Sequence, residues 1–104
     1  MIVGFSQQLR SNEDSLYQDS ITNILNSDIN DSSKIRTLYV ASKNLKNSNP
    51  QLALSYAYDA LELVKNTNDS ILKGLVNNRI GLLYLRLGNF DLAEEFILKK
   101  PTDT

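Results

Sequence analysis

The chain of 104 residues contains no cysteine, no histidine and no tryptophan. Without cysteine there can be no disulfide, no thiolate metal ligand and no thiol nucleophile. Without histidine the chain loses the side chain that most often serves as general base or metal ligand near neutral pH. No catalytic, cofactor-binding or metal-binding residue is therefore expected. Glycine and proline are scarce, at four and two, and the glycines are scattered. No glycine-rich loop is present to cradle a phosphate. The formal net charge is −1, whereas nucleic-acid binders carry a basic balance, so no nucleic-acid partner is expected. No apolar run approaches the roughly 20 residues that a membrane helix needs, and no membrane insertion is expected.

What is present is a 41% hydrophobic, 22% charged chain, the balance of a folded domain of about 100 residues. The apolar residues recur at helical spacing almost throughout. Five helices are expected, over about residues 12–29, 32–47, 50–66, 70–87 and 90–100. Asp31 or Ser32 suits the start of the second, because a short oxygen-bearing side chain can accept from a free backbone N–H. Asn49-Pro50 opens the third, Asn68 or Asp69 caps the fourth, and Gly88-Asn89 separates the fourth from the fifth. No alternating apolar pattern survives past four residues, so strands are not expected. Residues 1–11 are read as a flexible segment, residues 12–100 as the helical domain and residues 101–104 as a tail. The apolar opening MIVGF is read as an unpacked start in preference to the end of a secretion signal.

The chain also repeats itself. A shift of 40 residues lays Ala41 on Gly81, Val40 on Ile80, Leu45 on Leu85, Ala53 on Ala93 and Tyr56 on Phe96. It also lays Ser48-Asn49 on Gly88-Asn89. Self-similarity at such a period marks stacked supersecondary units. The small residues carry the physical reason, since two helices cross closely only where side chains are small.

In the second unit Asn77, Ile80, Gly81 and Tyr84, then Ala93 and Ile97, with the turn Gly88-Asn89-Phe90 between them, resemble the tetratricopeptide repeat. The family pattern is W-x2-L-G-x2-Y, then A-x3-F, then a late proline. Asn77 departs from it at the tryptophan position, Lys100 at a small one, and Pro101 comes too early. The first unit keeps Val40, Ala41, Ala53, Ala57 and Ala60 but has Thr37 and Asn44 where aromatics are usual. The resemblance covers about residues 32–100. It implies an all-α fold of antiparallel helical hairpins stacked as a short right-handed solenoid. The period of 40 exceeds the family's usual repeat of about 34 residues. Long units of this kind resemble the sensory regions of bacterial histidine kinases and of tetratricopeptide-containing transcription regulators. A non-catalytic protein–protein interaction module for signal transduction is implied, with the bacterial periplasm slightly preferred over the cytoplasm.

In that family the first helix of each hairpin lines a concave groove. Carried over, the groove residues would be Tyr39, Ser42 and Lys46 from the first unit and Asn78, Arg79, Leu82 and Arg86 from the second. From Lys34 to Lys46 there are four basic residues and no acid, and from Lys73 to Arg86 three and no acid. A peptide or protein partner with acidic groups is expected, since arginine grips a carboxylate with two parallel bonds. The competing reading is that these cations are only a solvated surface. The other tyrosines, at helical spacing, are expected to be core. The fifth helix carries Phe90, Phe96 and Ile97, which is no polar cap for a stack. Self-association through the last two helices is expected, as a homodimer, or else continuation into a longer repeat array.

Overall fold

The computed structural model describes residues 15–98, which form five α-helices and no strand. The described part of α1 covers residues 15–25. It is followed by α2 (Asp31–Asn44), α3 (Pro50–Val64), α4 (Ser70–Arg86) and α5 (Phe90–Ile97). The expected segment 1–11, the tail 101–104 and Lys100 lie outside the described residues. The first helix stops sooner than its apolar pattern suggests. Short polar side chains compete with the helical backbone there, and the Ser27 hydroxyl donates to the Ile24 carbonyl.

Four of the helices start in the same way. Asn30, Asn49, Asp69 and Asn89 each accept from the backbone N–H three residues on, at Ser33, Leu52, Leu72 and Leu92. One of the orphaned N–H groups of each helix is thereby satisfied. The cap of α2 is Asn30, not Asp31 or Ser32. The helix begins one residue early, which puts the Asp31 carboxylate in its first turn, where the exposed N–H groups favour negative charge. At the far end of α4, Gly88 takes φ +81°, a left-handed conformation that a side chain would disfavour.

Each of α2, α3 and α4 packs against its successor, and α2 also touches α4. The connections 45–49, 65–69 and 87–89 are short, so successive helices run antiparallel. One core links them, with Ile35 and Leu38 of α2, Ala57, Ala60 and Val64 of α3, and Val76, Ile80 and Leu83 of α4. Ile21 brings α1 into the same core, and the Tyr17 hydroxyl accepts from Asn44 Nδ2 at 3.1 Å.

Small residues do sit where helices meet. Ala41, Ala53, Ala57, Ala60, Gly81 and Ala93 are all buried. At Gly81 the approach is closest. A Cβ there would overlap Ile97 Cγ1 and lie 3.1 Å from the Ala93 carbonyl oxygen. Beside this contact Tyr84, Phe96 and Tyr58 pack together, with centroids 5.9–6.5 Å apart. The Tyr58 and Tyr84 hydroxyls share a hydrogen bond of 2.8 Å.

The repeat needs a correction of register. Asn49 and Asn89, the caps of α3 and α5, stand 40 positions apart. Asn30 and Asp69, the caps of α2 and α4, stand 39 apart. A shift of 39 in the first helices lays Leu38 on Asn77, Ala41 on Ile80, Ser42 on Gly81 and Leu45 on Tyr84. Burial agrees at the centre of the helices, since Ala41 and Ser42 are buried like Ile80 and Gly81 while Val40 is exposed, although buried Ile35 falls on exposed Gly74. Val40 therefore does not play the part of buried Ile80. The single-residue slip arises because α2 reaches the start of α3 in one residue fewer than α4 needs to reach α5.

Candidate functional site

On one side of the molecule α2 and α4 lie next to each other and form a shallow channel. Spacings of three and four put Arg36, Tyr39, Val40 and Lys43 on the α2 wall, and Lys46 and Asn47 follow in the connection after the helix. The same rule puts Leu75, Arg79, Leu82 and Arg86 on the α4 wall. Two contacts cross it, and a hollow opens at one end. The Arg79 guanidinium lies over the Tyr39 ring, 5.4 Å from its centroid, within cation–π range. Arg86 Nη1 donates to Asn47 Oδ1 at 2.6 Å. Near the N-terminus of α4, Arg36, Tyr39 and Val40 line an apolar hollow with Ile71, Leu72 and Leu75, and Asp69 stands at its edge.

The electrostatics of the channel are one-sided. Among the described residues, no carboxylate lies within ion-pair distance of Arg36, Lys43, Lys46, Arg79 or Arg86; the ion pair found is Lys65–Glu62, on α3 and the turn after it. Arg79 Nε is buried without a hydrogen-bond partner. Its guanidinium faces the Tyr39 ring and no anion among the described residues.

Of the seven residues expected in the groove, six are at least partly accessible and one is not. Tyr39, Arg79 and Arg86 make the contacts just described. Lys46 and Leu82 are half-exposed and Asn78 is exposed. Ser42 is 0% exposed, and its hydroxyl donates to the Tyr39 carbonyl at 2.7 Å. It is the counterpart of Gly81 and lies inside the hairpin, so it presents nothing to a partner. The register of 40 had placed it on the wrong face. Arg36, Val40, Lys43 and Leu75 were missed for the same reason. The spacing of the helix caps would have revealed them.

The residues expected to drive self-association divide. Phe90 is 67% exposed. Ile97 is partly covered by its contact with Gly81, and Phe96 is half-buried in the aromatic cluster. Burial raises the Tyr58 hydroxyl pKa well above the ordinary tyrosine range, and the bond to Tyr84 adds to it. Burial also raises that of Tyr56. These tyrosines are core residues that stay neutral. No described helix is long and apolar enough to cross a membrane. Compared with protein-family models, with curated proteins and with solved structures, the chain matches none.

Proposed function

We propose that the chain is a non-catalytic protein-interaction module of the tetratricopeptide type, its hairpins stacked as a short solenoid. Its α2–α4 channel takes an acidic stretch of a partner protein. The observation that carries this reading is the set of five channel cations that have no carboxylate within ion-pair distance among the described residues, with Arg79 held over Tyr39. Such a channel binds by electrostatic complement and a few apolar contacts, and makes or breaks no covalent bond. In a signalling protein of bacteria it would serve as the input region.

The test is a binding titration with acidic peptides, and with neutral peptides of equal length. Each charge-assisted bond contributes about 1.5–3 kcal/mol. Arg79→Ala and Arg86→Ala are each expected to weaken the acidic peptide at least tenfold, and added salt to weaken it further. Lys65→Ala, away from the channel, is expected to change nothing. Equal binding by all three variants, or equal binding of neutral peptides, refutes the reading.

A further inference from the structure

The outer edge of α4 carries Ile71, Leu75, Asn78, Leu82 and Leu85 at successive spacings of four, three, four and three. That is the seam of a coiled coil, with one polar residue at its centre. Ile71 is 75% exposed, Leu75 43% and Leu85 42%, and Asn78 is exposed. The register of 39 makes the seam informative. Its counterparts in and just after α2 are Ser32, Arg36, Tyr39, Lys43 and Lys46, a polar row with one aromatic. The repeat therefore does not require an apolar row here. The last helices of a stack ordinarily show water a polar face.

We infer that this seam is the interface with a second copy of the chain, α4 against α4, on a twofold axis that sets Asn78 opposite its equivalent. Three features select a second copy. The seam is self-complementary, with apolar residues on both sides of a central amide. Two asparagine amides can satisfy each other reciprocally, and one such residue in an apolar seam fixes its register. The flanks also match when the two α4 helices run parallel. On one side of the seam lies the α2 wall with Arg36, Lys43 and Lys46. On the other lies α5, whose Phe90, Glu94 and Ile97 share a face by spacing. A parallel twofold brings the basic flank of each copy beside the Glu94 flank of the other, and adds exposed Phe90 to the apolar contact. The seam shares Ile71, Leu75 and Leu82 with the channel wall, so a second copy and a channel ligand would compete for them, whereas Tyr39, Arg79 and Arg86 lie to one side of the seam.

The full chain should be studied by sedimentation equilibrium across a wide concentration series. The mass is expected to rise from 11.7 kDa toward twice that value. Leu82→Glu, at a half-exposed position, is expected to raise the dissociation constant at least tenfold with an unchanged circular dichroism spectrum. Because the chain has no cysteine, Asn78→Cys offers a geometric check that does not depend on affinity. Under mild oxidant it is expected to form a disulfide dimer at least tenfold faster than Lys65→Cys. A mass of one chain at every concentration would overturn the inference and leave the seam to a helix of another protein. A dimer that survives Leu82→Glu and dissociates on Phe90→Asp would overturn it by assigning the contact to α5. Equal oxidation rates for the two cysteine variants would overturn it as well.

Discussion

Adding a single methyl group at Gly81 tests the packing argument most directly. In a helix interior, alanine is favoured over glycine by about 1 kcal/mol. On propensity alone, Gly81→Ala would stabilise the fold. The structure opposes that gain. The new Cβ would overlap Ile97 Cγ1 and stand 3.1 Å from the Ala93 carbonyl oxygen. The isoleucine can turn aside, but the carbonyl is backbone and moves only with α5. Overpacking of this kind costs about 1–3 kcal/mol, so the net effect is a loss of up to about 2 kcal/mol. Gly74 supplies the control, because it lies in the same helix with nothing within 4 Å of its added Cβ. Gly74→Ala is expected to stabilise by about 0.5–1 kcal/mol. In a domain of this size 1 kcal/mol moves Tm by about 4–8 °C, so thermal unfolding followed by circular dichroism separates the two variants. Trimming Ile97 to alanine should relieve part of the Gly81→Ala penalty, which a double-mutant cycle would read as coupling. Equal stabilisation by both glycine variants would refute the claim that α4 and α5 meet through the bare backbone at Gly81.

Three further outcomes follow from other features. Gly88→Ala forces a side chain into the left-handed region at φ +81° and is expected to destabilise by about 1–2 kcal/mol, read by urea unfolding. Asn77 holds the position of buried Leu38 in the other unit, and its Oδ1 is buried without a partner. Asn77→Leu removes that unmet acceptor and is expected to stabilise by about 1 kcal/mol, measured in the same way. Burial, and then the bond to Tyr84, raise the Tyr58 hydroxyl pKa above the ordinary tyrosine value of about 10. A raised folded pKa contributes stability that is fully present below the unfolded value and is lost as pH rises above about 10. Stability should therefore fall in that alkaline window, and Tyr58→Phe should make the fall shallower in a pH series of denaturant midpoints.

The helices and the starts of α3, α4 and α5 were legible in the chain because their causes are local, whereas α1 and α2 end sooner than their patterns suggest, at residue 25 and at Asn44. Apolar spacing, an asparagine or aspartate before each start and Gly88 at a turn act within a few residues. The caps at Asn49, Asp69 and Asn89 and the stop at Gly88 required nothing from the rest of the fold. The small residues at the crossings, Ala53, Ala93 and Gly81, could also be read from the repeat.

Which way each helix faces was a different matter. One residue turns a helix face by about 100°, so the slip from 39 to 40 between the two halves of a unit moved Ser42 from the interior to an imagined groove. It also hid Arg36, Val40, Lys43 and Leu75. Only the packing of α2 on α3 shows that Leu38, Ser42 and Leu45 are inside. The placing of Arg79 over Tyr39 and of Arg86 on Asn47 joins side chains about 40 positions apart, and no local rule specifies such a pair. The sequence by itself determined that the chain is helical, where α3, α4 and α5 begin and where α4 stops, because those choices are made by neighbours along the chain. Tertiary structure decided which stripe of each helix meets another helix and which meets water, because that rotation is set by contacts between distant segments.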